Sequence, residues 1–273
     1  MLATSWLPSY LLVVLAASPP APSDAACTAL PAQAASRLPF QAGEKLDYDI
    51  DLIGGIKVGV VEMEVGTPER LEGELLLPIR AHARGDGLVA SIGKLESNAT
   101  SWLRMHDLHP LRYREDYSER GAKFWTDVGF SEAGKPCRIH FTFGQPNGNG
   151  ERNFACGSDG LDVLGAFYLM RGLEFQLGQP LCFDLYGTRH IWRVWGSVAK
   201  RETITTPAGT FVALRLTGYA ASSGPNAQTL DLSVWFTDDA RHLPVESVAG
   251  FSIGPVRAVL TGLGGPKRSD NDR

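Results

Sequence analysis

The sequence predicts a mainly β protein, built as a strongly curved antiparallel sheet or half-barrel around one short apolar helix. Three observations lead there. Apolar and polar residues alternate with period two in segment after segment, the pattern of a strand with one dry and one wet face. The segments are joined by short stretches rich in Gly, Pro, Asn and Ser, and connections that short suit antiparallel neighbours better than crossovers. A single segment, Val163 to Arg171, is apolar almost all round and breaks the period-two rhythm, as a buried helix does. Strands with one dry face need a shared apolar interior, and a sheet that curls upon itself supplies it.

The elements follow in chain order. Met1 to about Ala26 carries the apolar run Tyr10 to Ala17 followed by Pro, Ser and Ala, which reads as a secretory signal peptide over residues 1–26. The run is too short for a permanent membrane span, and its first six residues lack the usual Lys or Arg. Small residues at Ser23 and Ala25 suit cleavage after Ala25. Cys27 follows Ala25-Ala26 as a lipid-anchored cysteine does, although Asp24 stands where such signals carry an aliphatic residue. Residues 27–39 read as a Pro/Ala-rich linker, 40–263 as one antiparallel β domain, and 264–273 as a flexible tail.

Within the domain, Lys45 to Leu52 places Leu46, Tyr48, Ile50 and Leu52 on one face, and Gly54-Gly55 allows a tight turn. Val58 to Val65 sets Val61, Met63 and Val65 against Glu62 and Glu64. Leu75 to Arg84 sets Ile79, Ala81 and Ala83 against Arg80, His82 and Arg84. Arg138 to Phe143 sets Ile139, Phe141 and Phe143 against Arg138, His140 and Thr142. The helix has Asp162 as N-cap and Gly172 just past its end. His190 to Trp195, Phe211 to Thr217, Thr229 to Phe236, Leu243 to Val248 and Val256 to Leu260 complete the strands. Turn signals at Thr206-Pro207-Ala208-Gly209 and Ser222-Ser223-Gly224-Pro225-Asn226 separate them.

Four cysteines in an exported chain are expected to pair. Cys137 and Cys156 flank the turn Gly144 to Gly150 almost symmetrically, so a hairpin would bring them together as a disulfide. The alternative is two separate buried thiols. Cys27 and Cys182 have no such local argument.

Several pieces, taken in order, resemble a bacterial family known only as a domain of unknown function found in exported proteins. They are Phe40-Gln41-Ala42-Gly43-Glu44-Lys45-Leu46 with Tyr48; Asp162 with Leu164, Tyr168 and Arg171; Pro207-Ala208-Gly209-Thr210-Phe211; and Trp235-Phe236-Thr237-Asp238-Asp239 with Arg241, Leu243, Pro244 and Val245, then Ile253-Gly254. They span about Phe40 to Leu260. Gly165 stands where that family's helix is expected to carry Ser. The resemblance implies an envelope protein of β architecture with no established activity. By architecture alone, the pattern is also similar to the folds of periplasmic lipoprotein carriers and sigma-factor regulators, and such a likeness does not establish function.

The net charge of −4 and the absence of a basic run exclude the electrostatic footprint of a nucleic-acid binder. Asp238-Asp239-Ala240-Arg241-His242 holds acids, a cation and an imidazole, but it falls between two strands, where Asp satisfies turn amides. It is read as a hairpin turn, with Arg241 offsetting the acids and His242 incidental; a carboxylate-dependent hydrolase is the competing reading. His106 and His109 lack a third ligand nearby, and Ser158 lacks a nucleophile elbow, so no catalytic residue, metal or cofactor is expected. His82, His140 and His190 are read as solvent-facing. Arg171 closes an otherwise apolar helix. It either complements the helix dipole, paired with an acid, or meets the anionic head group of an amphiphile. Phe167, Tyr168, Trp192 and Trp195 are the accompanying candidates to line a ligand cavity, with core packing as the alternative. The expectation is a non-catalytic periplasmic or cell-envelope protein whose concavity takes an apolar or amphiphilic ligand or a lipid-modified partner. A structural module that binds another envelope protein is the alternative.

Overall fold

The computed structural model describes residues 20–23, 27, 30, 38–52, 55–87, 95–131, 138–145, 148–155, 160–187, 190–223, 227–251 and 254–265. Sixteen strands and one helix are found there. The first nine strands are β1 (Lys45–Leu52), β2 (Ile56–Val65), β3 (Glu69–Leu71), β4 (Glu74–Gly85), β5 (Glu96–Arg104), β6 (Pro110–Glu119), β7 (Ala122–Phe130), β8 (Arg138–Gln145) and β9 (Gly148–Ala155). After β10 (Gly160–Asp162) comes α1 (Val163–Arg171). The remaining strands are β11 (Pro180–Gly187), β12 (His190–Thr206), β13 (Gly209–Ser222), β14 (Thr229–Thr237), β15 (Pro244–Phe251) and β16 (Gly254–Gly264).

They form one sheet in the order β10-β11-β12-β13-β14-β15-β16-β1-β2-β4-β5-β6-β7-β8-β9, with β3 beside β4. Every pairing is antiparallel except β10 with β11, the two strands joined through α1. The chain therefore folds as successive hairpins on either side of the β16–β1 seam, where its C-terminal strand meets its first. The ends of the sheet, β9 and β10, are not hydrogen-bonded to each other, so the sheet curves without closing.

Curvature is visible in which side chains meet. Tyr186 of β11 packs its ring 5.1 Å from Phe141 of β8 and 5.9 Å from Tyr113 of β6, strands that lie far away in sheet order. Gly196 and Gly218 stand opposite each other in β12 and β13. A Cβ built on either glycine would run into the facing backbone, at Thr217 or Trp195, so these strands approach there as only glycine permits.

Period-two alternation decides the faces. In β1, Leu46 and Tyr48 are buried, as the spacing predicts. A register shift after Ile50 then turns Asp51 into a buried position, where Arg257 of β16 grips it at 2.7 and 3.1 Å. The concave side collects Val65, Ile79, Leu103, Val128, Ile139, Phe236 and Leu260, all fully buried, around α1. Cys27, Leu30 and Leu38, from the stretch read as a linker, are buried too, and the two leucines join this core.

Candidate functional site

The helix forms where the sequence places it. Asp162 caps it by accepting from the Gly165 amide at 2.8 Å, and Gly172 returns its own amide to the last turn. Asp162 is fully buried, and its second carboxylate oxygen accepts from the Ser101 hydroxyl of β5 at 2.6 Å. Burial pushes its pKa up to about 6, against the pull of the hydrogen bonds from Ser101 and the helix amides. At Gly165 a Cβ would sit 3.3 Å from both Leu103 and Asp162, so the first turn lies close against β5.

The other end is held by Arg171, whose side chain is wholly enclosed. Its guanidinium donates to both oxygens of Glu44, at 2.5 and 3.1 Å, and to the Arg241 carbonyl at 3.3 Å. Phe40 and Tyr168 cover it with their rings, 4.8 and 5.2 Å from the guanidinium carbon, and these rings meet edge to face at 4.8 Å. The anionic partner considered for Arg171 from the sequence is supplied by the chain itself, just before β1. His242 is not incidental: its ring hydrogen-bonds the Arg171 carbonyl at 2.9 Å, which satisfies an orphan acceptor at the helix end.

The acidic run is the β14–β15 turn. Thr237 and the Arg241 amide donate to Asp239, and the Arg241 guanidinium pairs with it at 2.6 Å. Burial raises the Asp239 pKa, but the bonds from Arg241 and Thr237 outweigh it and hold the carboxyl below the usual range. Asp238 pairs with Arg201. A low pKa is the reverse of what a proton donor needs.

Two apolar cavities flank α1. The larger, of about 200 Å³, lies between Val163, Leu164 and Phe167 on the helix and Tyr48, Ile50, Val61, Met63, Pro244, Glu246, Ser247 and Ala258 on the sheet. Alternation along β15 sends the Glu246 side chain away from it, to the face of its cross-strand neighbours Trp235 and Val259. The smaller, about 40 Å³, touches Met170, Phe183, Val194 and Trp195 among others. Of the residues singled out from sequence, Phe167 therefore lines the larger cavity and Trp195 the smaller. Tyr168 and Arg171 are packed into the core beside both, and Trp192 lines neither; its indole donates to the Gly187 carbonyl at 3.1 Å.

Sequence reasoning missed Glu44, Ser101, Ala258 and Ser247. Nothing in a one-dimensional pattern distinguishes an inward small residue above a cavity from one beneath packed neighbours. It also missed the disulfide between Cys27 and Cys182, whose Cα atoms are 4.9 Å apart. The two are separated by 155 positions and have no local signal. Cys137 and Cys156 lie outside the described residues. With its sulfur bonded to Cys182, Cys27 has no thiol left to carry a lipid.

Among the described residues no group of three His, Cys, Asp or Glu side chains is placed to hold a metal ion. No helix there is long and apolar enough to cross a membrane.

The model of a family described as a protein of unknown function (DUF3108) matches residues 47–261. No curated protein matches the chain. Among solved structures, the β-barrel-like protein of a domain of unknown function, DUF1849, from Brucella abortus is similar to 83% of this chain and 98% of its own, with TM-score 0.53 and 10% identity. That likeness is one of fold. A protein inferred to be exported, with a YmcC-like fold, from Bacteroides fragilis is similar over 86% of this chain and all of its own, at TM-score 0.39 and 10% identity. A protein inferred to be a lipoprotein, from Parabacteroides distasonis, is similar over 84% and 99%, at TM-score 0.36 and 11% identity.

Proposed function

The chain belongs to the family of unknown function DUF3108, and from that premise we propose that it is an exported, non-catalytic binding protein that holds an apolar ligand between α1 and the sheet. The observation that carries the reading is the cavity of about 200 Å³ with apolar walls beside Phe167. Cavities of about 150 Å³ with such walls stay dry and take up small apolar molecules, because no polar group offers water a partner. The leader-like residues 1–26 and the disulfide Cys27–Cys182, a bond that persists in oxidising compartments, support export. Non-catalytic action is supported by the engagement of both acids, Asp238 with Arg201 of β12 and Asp239 with Arg241 of its own turn. The deciding experiment purifies the mature protein from the envelope fraction and examines it by native mass spectrometry, followed by titration with the hydrophobic fluorophore anilinonaphthalene sulfonate. A co-purifying apolar adduct, or saturable one-site binding that Phe167→Trp removes, is expected. Protein that carries no adduct and binds the fluorophore at no saturable site ends the proposal.

A further inference from the structure

The concave face carries a polar cluster on the half of the sheet that the apolar cavities do not reach; neither of them has a lining residue from β4 to β9. One cross-strand row there runs Met63, Ala81, Ala99, Glu115, Thr126 and Phe143, from β2 to β8. It faces inward, because Ser101 and Tyr113, two residues along from Ala99 and Glu115, are buried on the same side. Glu115 is the anomaly in this row. Its carboxylate accepts from the Ser97 hydroxyl at 2.8 Å and the Tyr113 hydroxyl at 3.3 Å, and among the described residues no Lys, Arg or His pairs with it. Burial, and then the charge of Glu115, push the Tyr113 pKa well above its ordinary value, so Tyr113 brings a proton donor but no positive charge. Three other largely enclosed acids have an arginine each: Glu44 has Arg171, Asp51 has Arg257 and Asp184 has Arg193. Arg152 also faces inward, opposite Phe141, but it stands on β9, three strand spacings or about 14 Å from Glu115.

Directly across from Glu115, Thr126 is fully buried and its hydroxyl has no hydrogen-bond partner. A buried hydroxyl left unpaired is destabilising until something completes it. Next to this pair, Tyr117 of β6 and Phe124 of β7 stack at 4.6 Å, and Phe143 follows Thr126 on β8. Toward β4 the same face is low, with Ala81, Ala83, Ser97 and Ala99 all only half-buried.

We propose that Glu115, Thr126 and the rings around them bind a protonated amine, at a site separate from the apolar cavity beside α1. An ammonium supplies what the cluster lacks: a positive charge for Glu115 and N–H donors for the Thr126 oxygen. Aromatic faces attract the same group. A quaternary ammonium meets the charge but has no N–H to offer. One carboxylate among neutral hydroxyls is a poor ligand set for a divalent ion, which takes six or more oxygens.

The test is calorimetric titration of the mature protein with three benzyl compounds that differ only in the head: benzylamine, benzyl alcohol and benzyltrimethylammonium. Benzylamine is expected to bind at one saturable site, about tenfold more tightly than either of the others. Glu115→Gln should lower benzylamine affinity about tenfold and leave that for benzyl alcohol unchanged. Thr126→Val should lower benzylamine affinity about fivefold without lowering the thermal midpoint, since it removes a hydroxyl that pairs with nothing in the fold. That second variant keeps the test decisive should Glu115→Gln fail to fold. Phe167→Trp, which blocks the apolar cavity, should leave benzylamine affinity unchanged, so failure of the apolar-ligand reading does not carry this one with it. No saturable binding of benzylamine, or equal binding of either other compound, overturns the amine site. So does benzylamine affinity that Phe167→Trp removes and that Glu115→Gln and Thr126→Val leave intact, which places the amine in the apolar cavity instead.

Discussion

Asp162 sits under two opposing demands. As the N-cap of α1 it must accept hydrogen bonds, which favour the carboxylate, yet it is fully buried, which favours the neutral acid. Burial wins, and the folded pKa rises to about 6 from the ordinary 3.8. Because the folded value lies above the unfolded one, the stabilisation is complete below about pH 4 and is lost as pH rises through 6. A shift of about two units corresponds to on the order of 3 kcal/mol. Asp162→Asn keeps a capping side chain but removes the titration. The quantity to measure is the difference in urea unfolding free energy between this variant and the parent, at pH 4.5 and pH 7.5. The variant should gain on the parent at the higher pH; curves that stay parallel would show that Asp162 titrates like an exposed acid.

At the scale of elements, α1 is fixed at both ends by polar bonds to different parts of the sheet. Its cap reaches β5 through Ser101, and its last residue reaches the start of β1 through Glu44 and the β14–β15 turn through Arg241 and His242. Removing Glu44 leaves the Arg171 guanidinium enclosed without a counter-charge. Glu44→Ala should therefore cost about 3–5 kcal/mol, read as a lower urea midpoint with an unchanged m value. The double substitution Arg171→Met with Glu44→Leu should recover much of that, because an apolar pair of similar volume needs no compensating charge. A double variant as unstable as the single one would place the cost in packing instead. The helix was legible because its signals are local: a cap, nine apolar-rich residues and a following glycine. β1, β2 and β13–β16 were legible through clean alternation. β5, β6 and β7 were not, because their inward row is partly polar. Ser101 and Thr126 are fully buried there, and Glu115 accepts from Ser97 and Tyr113 on that side. β12 was read only to Trp195, since Gly196 and the charges at Lys200, Arg201 and Glu202 interrupt the apolar pattern at the bend.

The whole molecule adds a constraint that no single element contains. Every strand before α1 lies inside the loop closed by Cys27 and Cys182, so ten of the sixteen strands and the helix are tied to β11 by one bond. An open sheet of this size depends on non-local pairing: the seam between β16 and β1 joins residues more than two hundred positions apart, as in Tyr48 opposite Leu260. Closing a loop of 155 residues removes denatured-state entropy equivalent to about 5 kcal/mol by the chain-entropy relation, and measured losses for native bridges run at about 2–5 kcal/mol. The bridge also lies beside Leu30 and Leu38, which enter the core. Replacing both Cys27 and Cys182 by Ser should lower the unfolding free energy by that amount at neutral pH, while the far-ultraviolet β signal of the folded protein is retained. In a background carrying Cys137→Ser and Cys156→Ser, so that no second bridge can respond, the oxidised parent treated with a thiol reductant should fall to the same midpoint as the double variant. If parent, reduced parent and variant unfold together, the bridge does not constrain the chain, and Leu30, Leu38 and Phe40 keep their places in the core by packing alone.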